Sequence, residues 1–235
     1  GNETDSDARS ITVDTVAPAQ PTIDTIAADD VVNFSERNST ITGTTEADTS
    51  VTLSIGGNDR TATVDGTTWS YALTDDDITA MDQGAESIAV TATDSAGNET
   101  DSDARSITVD TVAPTPPTIN TIATDDVVNL SEENSTITGT TEAGTSVTVS
   151  IGGNDRTATV DGTTWSYALT DDDITAMGQG AESIAVTATD SAGNETVSAA
   201  ASITVDTQAP ASLSLSGNIA PAADLTMTFA EDIVK

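Results

Sequence analysis

The stretch SVTLSIGGNDRTATVDGTTWSYAL, residues 50–73, decides which fold this chain can adopt. Its apolar and polar side chains alternate in short runs, which is the pattern of half-buried β-strands and not of helices. The sequence GGND at 56–59 separates the first two runs, and DG at 65–66 separates the second from the third. Both are turn signals. The stretch therefore predicts three consecutive strands joined by tight turns.

The flanking segments extend this pattern to a seven-stranded domain. Trp69, Tyr71 and Leu73 fall on one face of their strand, as alternation requires. Seven short strands in about 96 residues predict an all-β, immunoglobulin-like sandwich. We predict strands at Pro21–Ile26, Thr40–Thr45, Ser50–Ile55, Arg60–Val64, Thr67–Leu73, Glu86–Thr93 and Ser102–Val109, with one helical turn capped by Thr74.

Trp69, and Trp165 at the matching position, are interpreted as core side chains. The chain has no Cys to bridge the two sheets, so packing alone has to hold each sandwich together. Trp69 shares its strand face with Tyr71 and Leu73, which favours burial. The alternative is a solvent-exposed Trp that stacks on sugars, and the sequence leaves that alternative open.

A long internal repeat defines the domain organisation. The string GNETDSDARSITVDTVAP occurs at 1–18 and again at 97–114, a spacing of 96 residues. A period this long matches a whole domain, whereas solenoid repeats have roughly 20–50 residues. We therefore expect tandem sandwich domains arranged as an elongated rod. The predicted divisions are the last strand of a preceding unit (1–14), two full repeats (15–110 and 111–206) and the truncated start of a divergent unit (207–235).

Composition excludes several classes of function. The 235 residues include 39 acidic and six basic side chains, no Cys and no His, for a net charge of −33. Disulfide frameworks, zinc sites, thiol nucleophiles and Ser-His-Asp triads are therefore excluded. The negative charge argues against nucleic acid and anionic membrane surfaces as partners, and no apolar run reaches the ~18 residues that span a bilayer. No carboxylate pair suggests a glycosidase cleft, so we expect no enzymatic activity and no catalytic residues.

Acidic side chains concentrate in loops that sandwich topology places at one end of each repeat. In the first repeat, Glu46 follows the second strand, Asp94 and Asn98 lie in the last hairpin loop, and Asp14 lies in the incoming chain. Clustered carboxylates repel unless a cation joins them, and Ca²⁺ accepts six to eight oxygen ligands. We predict a Ca²⁺ site at this junction. The matching residues at the next junction are Asp110, Glu142, Asp190 and Asn194, and Asp206 takes the place of Asp110 at the one after.

A second pair of cation sites is predicted at the opposite end of each repeat, in ADDVVNFSE (28–36) and TDDVVNLSE (124–132). Their oxygen ligands are close enough in sequence for one loop to wrap an ion, although the central Gly of an EF-hand loop is missing. The predicted ligands are Asp30, Glu36, Asp126 and Glu132. The simpler interpretation of all these acids is a solvated anionic surface, which we prefer for the Asp75–Asp77 triplet as a capped turn.

Four motifs together resemble the tandem bacterial Ig-like (BIg) repeats of giant calcium-binding surface adhesins, the RTX and biofilm-associated types exported by type I secretion. The motifs are ITVDTVAPxxPTI, ITGTTEAGTSVTVSIGG, DGTTWSYAL and IAVTATDSAGNE, and the resemblance covers about residues 15–206. It implies an extracellular place on the bacterial surface, neighbouring Ig-like domains as partners, and an adhesive target bound elsewhere in the full protein. It also implies junction-bound Ca²⁺, with ligands at Asp14, Glu46, Asp94, Asp110, Glu142 and Asp190.

The leading functional prediction is a structural extender that Ca²⁺ stiffens, so that it projects an adhesive domain for cell adhesion or biofilm formation. The connection VDTVAP at 109–114 supports it, because this short segment contains Pro and lacks flexible Gly/Ser spacing. The alternative is a glycan- or protein-binding module that acts through its loops. The aromatic content of 3% argues against a sugar site.

Overall fold

Short strands separated by glycine-rich and acidic turns make up most of this protein. The computed structural model describes residues 9–210. These residues form two compact units, one of 9–115 together with 189–196 and one of 116–188 together with 197–210. The strand expected at 1–14 lies partly outside the described residues, and the divergent unit expected at 207–235 lies almost entirely outside them.

The first repeat contains a helix, α1, between its sixth and seventh strands. Its elements are β1 (Val31–Val32), β2 (Thr40–Thr44), β3 (Ser50–Ile55), β4 (Asn58–Thr61), β5 (Thr63–Asp65), β6 (Thr68–Ala72), α1 (Asp75–Met81), β7 (Gly84–Thr93), β8 (Glu99–Asp101) and β9 (Arg105–Val109).

The second repeat has the same order of elements. They are β10 (Val127–Asn129), β11 (Thr136–Thr140), β12 (Ser146–Ile151), β13 (Asn154–Thr157), β14 (Thr159–Asp161), β15 (Thr164–Ala168), α2 (Asp171–Met177), β16 (Gly180–Thr189), β17 (Glu195–Val197) and β18 (Ala201–Asp206).

Two sheets enclose the core of each repeat. One sheet has the order β1-β9-β7-β3-β4, with β8 also paired to β7, and the other has the order β2-β6-β5. The second repeat gives β10-β18-β16-β12-β13, with β17 on β16, and β11-β15-β14. The pairing is antiparallel except at the edges, where β1 runs parallel to β9 and β10 parallel to β18. This arrangement confirms the predicted all-β, immunoglobulin-like sandwich.

The tryptophan in each repeat lies in the core, as predicted. Trp69 is 2% exposed and packs in one apolar cluster with residues of both sheets, among them Ile41 and Leu53. Its indole Nε1 donates to the Thr22 carbonyl oxygen over 3.1 Å, so its polar atom is satisfied. Trp165 repeats the arrangement at 2% exposure, and an exposed Trp that stacks on sugars is therefore wrong.

Three predicted strands differ from the structure. The segment expected as a strand at Pro21–Ile26 is not one, because only Thr22 and Asp24 donate backbone hydrogen bonds to β2 and Pro21 has no N–H to give. The strand expected at Arg60–Val64 is two, since β4 pairs with β3 and β5 pairs with β6. The last strand, predicted at Ser102–Val109, begins at Arg105 as β9, and in the residues before it the Ser102 hydroxyl accepts the backbone N–H of Val90.

The turn capped by Thr74 is longer than predicted. Thr74 forms a capping box, accepting from the Asp77 backbone N–H while the Asp77 side chain accepts from the Thr74 backbone N–H. Three carboxylates in the first turn suit the positive end of the helix dipole. The result is the seven-residue helix α1. Ile78 and Met81 lie on its buried side.

Candidate cation-binding site

The Asp94 carboxylate organises the loop between β7 and β8. Its Oδ1 accepts the backbone N–H groups of Ala96 and Asn98 at 2.8 and 2.9 Å, and its Oδ2 accepts the Asn98 side-chain amide at 2.8 Å. Hydrogen bonds from the Asn98 side chain, and then from the loop backbone, lower the pKa of Asp94 below its usual value. Asp94 is therefore a fixed anion at neutral pH.

Asn98 links this loop to the incoming chain. Its amide nitrogen also donates to the backbone carbonyl oxygen of Asp14 at 3.3 Å. The Asp14 side chain uses only Oδ1, which accepts the Val16 N–H at 3.1 Å. The structure thus brings Asp14, Asp94 and Asn98 together, as the sequence predicts, although Asp14 meets Asn98 through its backbone.

Glu46 reaches the same incoming chain from the loop after β2. Its Oε2 accepts the backbone N–H of Ala19 at 2.8 Å. The Thr100 hydroxyl contributes a further contact, donating to the Pro18 carbonyl oxygen at 2.6 Å. Residues 14–19 are therefore hydrogen-bonded to the same two loops that carry the predicted ligands.

Asp190 and Asn194 repeat this loop geometry, and loop 189–196 belongs to the first unit. The Asn194 amide donates to the Asp110 carbonyl oxygen at 2.8 Å and to Asp190 Oδ2 at 2.9 Å. Burial acts to raise the pKa of Asp190, but hydrogen bonds from the Asn194 side chain and from the loop backbone outweigh it, so the pKa is lowered. Asn194 is only 3% exposed.

Within the first unit, loop 189–196 also contacts the turn after β1. The Asn194 Oδ1 accepts the Phe34 backbone N–H at 2.8 Å, and the Asn33 amide donates to the Ala192 carbonyl oxygen at 3.0 Å. Asn194 therefore uses both the oxygen and the nitrogen of its side-chain amide. No spacing rule in the sequence indicates its contact with Phe34.

The remaining junction residues sit in matching places. Glu142 lies in the loop after β11, where its backbone carbonyl accepts the Thr145 hydroxyl at 2.8 Å. Asp206 is the last residue of β18 and is exposed.

At the opposite end of the first repeat, Asp30 is already paired with a cation. Its two oxygens accept Arg105 Nε at 2.6 Å and Nη2 at 2.5 Å. The hydrogen bonds from Arg105 lower the pKa of Asp30. Glu36 folds back on its own turn, where Oε2 accepts the Asn33 N–H. A metal ion here would have to displace the guanidinium.

The second repeat lacks this ion pair, because Ala201 stands where the first repeat has Arg105. Asp126 keeps the turn contact alone, accepting the Ile122 N–H at 2.8 Å. Glu132 accepts the Asn129 side-chain amide. The two loops therefore share a backbone conformation, but Asp30 is paired with an arginine and Asp126 is not.

The donor chemistry of the junction residues suits Ca²⁺, but their spacing in this structure does not form a coordination sphere. Asp14 Oδ2 and Glu46 Oε1 accept no hydrogen bond from any described residue, so each is open to a ligand. Among residues 9–210, no group of three or more Asp and Glu side chains lies close enough to hold a metal. Ca²⁺ binding would require these side chains to converge.

A buried aspartate holds the first turn of each helix. The sequence predicts instead that the acids at Asp75–Asp77 are solvated. Asp77 is fully buried, with Oδ1 accepting Arg60 Nε at 2.6 Å and Oδ2 accepting the Tyr71 hydroxyl at 2.7 Å. Burial acts to raise its pKa, but the hydrogen bonds from Thr74, Tyr71 and Arg60 outweigh burial and lower it. Asp173 is held in the same way by Arg156, Tyr167 and Thr170. The Thr-x-x-Asp capping spacing was the available signal.

Solved structures that resemble the chain come from bacterial adhesins. One is a Ca²⁺-stabilized adhesin that helps an Antarctic bacterium reach out and bind ice, with 34% identity over 84% of this chain and 51% of that chain and a TM-score of 0.48. Another belongs to a 1.5-MDa bacterial ice-binding adhesin retained on the host cell surface, with 32% identity over 80% of this chain and 65% of that one and a TM-score of 0.44. A comparison with protein-family models gave no match, and neither did one with curated proteins.

A third structure covers a single domain. It is a bacterial immunoglobulin-like domain from the M. primoryensis ice-binding adhesin, 34% identical to 40% of this chain and aligned over 100% of its own length, with a TM-score of 0.31. Identity at this level over that whole domain, and not the superposition, shows the class: the chain belongs to the bacterial immunoglobulin-like domain family.

The adhesins define the class more narrowly. The chain belongs to the tandem immunoglobulin-like repeats of RTX adhesins and is an extracellular segment of a bacterial cell-surface protein. It spans about half of the first adhesin structure and about two thirds of the second, at 51% and 65%. These relatives point to a structural protein and not to an enzyme. Among residues 9–210, no helix is long and apolar enough to cross a membrane.

Proposed function

We propose that this chain is an extender segment of its adhesin, which Ca²⁺ stiffens at the junctions between repeats and which projects an adhesive domain for cell adhesion or biofilm formation. Repeats 15–110 and 111–206 are the proposed folding units, with 1–14 and 207–235 belonging to their neighbours in the chain. The adhesive target is bound elsewhere in the full protein. Ca²⁺ stabilisation is a described property of one relative, and we extend it to this chain as part of the proposal.

The observation that carries the proposal is the way the chain enters and leaves the first repeat. Residues 14–19 are hydrogen-bonded to the two acidic loops of that repeat. On the leaving side, the Thr111 N–H donates to Gln83 Oε1 at 2.8 Å and the Asp110 N–H donates to the Val32 carbonyl oxygen at 3.0 Å. The connecting backbone is thus bound to folded structure instead of behaving as a free linker.

A cation at the acidic loops would act directly on this connecting backbone. Asp14 and Asp110 belong to the connection itself, and Glu46, Asn98 and Asn194 hydrogen-bond to it. Neutralising these carboxylates removes a repulsion that otherwise opposes their approach, so binding and stiffening are coupled. The proposed junction ligands are Asp14, Glu46, Asp94, Asn98, Asp110, Glu142, Asp190, Asn194 and Asp206, with Asp30, Glu36, Asp126 and Glu132 as a second set.

The test is small-angle X-ray scattering of the full chain in Ca²⁺ and in chelator, together with isothermal titration calorimetry. We expect a longer and narrower distance distribution in Ca²⁺, and binding that the double variant Glu142→Gln/Asp190→Asn reduces. Asp161→Asn, on an exposed hairpin, is the matched control and should leave binding unchanged. Equal distance distributions in Ca²⁺ and chelator would contradict the stiffening. Unchanged binding in the double variant would contradict the assigned ligands.

A further inference from the structure

Each repeat carries three Asn-x-Ser/Thr sequences, and the structure separates one of them from the other two. In the first repeat they begin at Asn33, Asn38 and Asn98, and in the second at Asn129, Asn134 and Asn194. This tripeptide is the acceptor for N-linked glycans in surface-exposed loops of secreted proteins. The motif alone is weak evidence, so the environment of each amide decides which positions can carry a sugar.

Four of the six amides are committed to the fold. Asn98 and Asn194 each donate to the carboxylate of their own loop and to the carbonyl of the connecting chain. Asn33 donates to the Ala192 carbonyl, and Asn129 donates to Glu132. Asn98 and Asn194 use both Nδ2 hydrogens, so a sugar there would replace a hydrogen that the loop uses, and at Asn194 it would enter a site that is 3% exposed. Asn33 and Asn129 each use one Nδ2 hydrogen to hold their turn.

Asn38 and Asn134 differ from these four in both repeats. Both side chains are exposed, and neither amide has a hydrogen-bonding partner among residues 9–210. Two positions on, the side chains of Thr40 and Thr136 are exposed, and their hydroxyl groups make no hydrogen bond within the described part of the chain.

Hydrogen bonds hold the backbone of Ser39 and Ser135, which lie between the Asn and the Thr of each tripeptide. The Ser39 N–H donates to the Glu36 carbonyl oxygen at 2.7 Å, and the Ser39 carbonyl accepts the Leu73 N–H at 3.0 Å. Ser135 makes the same two bonds at 2.8 and 2.9 Å. The acceptor tripeptide therefore stands on a rigid turn at the start of β2 and of β11, with open solvent around the amide.

We propose that Asn38 and Asn134 are N-glycosylation sites of this surface protein. In the transfer, the Nδ2 of Asn forms a bond to the anomeric carbon of the sugar while the bond from that carbon to a phosphate leaving group breaks, and the Nδ2 proton passes to a base of the transferase. The donor is a glycosyl diphosphate, carried either by a nucleoside or by a lipid. The proposal is independent of Ca²⁺ binding.

The order of folding and modification does not alter which sites the structure selects. If transfer occurs on the folded chain, Asn38 and Asn134 are the two acceptors among residues 9–210 whose amides make no hydrogen bond. If it occurs before folding, a glycan on Asn98 or Asn194 would prevent its loop from closing, whereas one on Asn38 or Asn134 leaves every observed hydrogen bond intact. The folded surface protein therefore carries sugar at the same two positions in either case.

The test is peptide mapping by mass spectrometry, with electron-transfer fragmentation, of the protein recovered from the surface of the bacterium that produces it. The two sites are distinguishable because Arg37 precedes the first and Glu133 the second. We expect a glycan on Asn38 and Asn134 and bare Asn98 and Asn194. A single sugar residue identifies the nucleoside-linked donor and a preassembled oligosaccharide identifies the lipid-linked one.

Variants and an acceptor assay sharpen this test. Thr40→Ala and Thr136→Ala should abolish modification at the neighbouring Asn while leaving the melting temperature unchanged, since both hydroxyls are unpartnered. In vitro, with UDP-glucose and a soluble asparagine glucosyltransferase, the six acceptors of the two repeats should divide: the folded chain should gain sugar at Asn38 and Asn134, whereas its unfolded peptides should react at Asn98 and Asn194 as well. Unmodified Asn38 and Asn134 in the surface protein, or equal modification of Asn98 and Asn194 in the folded chain, would overturn the proposal.

Discussion

At the residue scale, the carboxylates of this chain fall into two physical groups. Most are exposed and contribute to the net charge of −33, but Asp77 and Asp173 are fully buried and satisfied by an Arg, a Tyr and a Thr each. A buried charge is tolerated only where every partner is in place, so loss of one partner is costly. Disrupting either of these two residues should therefore destabilise the fold more than removing an exposed acid.

Asp77→Asn should destabilise the first repeat by about 2–4 kcal/mol, because the amide cannot accept all of the hydrogen bonds that the carboxylate accepts and leaves Arg60 without its partner. Calorimetric unfolding of the full chain measures the loss. Asp76→Asn, exposed on the same helix turn, is the matched control and should lie within about 0.5 kcal/mol of the parent. Equal effects of the two substitutions would show that the buried network contributes nothing special.

The pH dependence of stability follows from the same residue. Because the folded pKa of Asp77 is lowered, its contribution is complete above the ordinary carboxyl pKa of about 4 and is lost as the pH falls through the lower folded value. Protonation of surface acids relieves repulsion over the same range and acts in the opposite direction. The melting temperature of the parent minus that of Asp77→Asn should therefore be constant from pH 7 to about 5 and shrink below about pH 4. A difference that stays constant to pH 3 would contradict this assignment.

At the element scale, the segment before β1 packs closely against β6, the strand that carries Trp69, and this contact holds the two parts of the sandwich together. A Cβ added to Gly43 would lie 1.9 Å from the Thr22 carbonyl oxygen and 2.7 Å from the Trp69 ring. Trp69 donates to that same carbonyl. Gly43 thus allows three segments to meet where any larger residue would separate them.

Gly43→Ala should cost about 3 kcal/mol or more, since both contacts are with rigid groups and overpacking of this kind usually costs 1–3 kcal/mol. Urea unfolding monitored by Trp fluorescence reports it directly. Gly57→Ala is the comparison, because that glycine has a φ of +73° but open space around it and should lose only about 1 kcal/mol. A Gly43 variant as stable as the Gly57 variant would show that the core yields easily at this point.

The strands that the sequence predicted well are those with strict alternation. β3 runs from Ser50 to Ile55 as predicted, because each of its apolar residues faces the core and its ends are marked by turns. The strand predicted at Arg60–Val64 is two strands in the structure. The chain passes from one sheet to the other at Ala62, and the alternation of apolar and polar residues does not indicate that change. The interpretation of Asp75–Asp77 as solvated was wrong for Asp77, since its partner Arg60 lies 17 residues away on β4 and no local pattern indicates that pairing. The loop positions of Asp94 and Asn98 were predictable, but the Asn194 contacts were not.

At the scale of the whole molecule, charge and calcium are two separate influences on stability. Any salt screens a net charge of −33, so raising ionic strength alone should stabilise the folded state. Specific binding adds a second term, which grows with the ratio of Ca²⁺ concentration to Kd and reaches about 2.7 kcal/mol at one hundred times Kd for each site. The two terms separate when ionic strength is held constant.

We therefore expect CaCl₂ to raise the melting temperature of the full chain more than NaCl or MgCl₂ at equal ionic strength, because Ca²⁺ tolerates irregular oxygen coordination and Mg²⁺ demands a stricter octahedron. Asp94→Asn and Asp190→Asn should each remove part of the Ca²⁺-specific increase while leaving the NaCl response nearly unchanged. Asp65→Asn, on an exposed hairpin, should keep both responses. If CaCl₂ and MgCl₂ give the same shift in the parent protein, the acids act only as a screened surface charge, and an extender made from these repeats would gain its stiffness from backbone contacts such as those of Asp14 and Asp110.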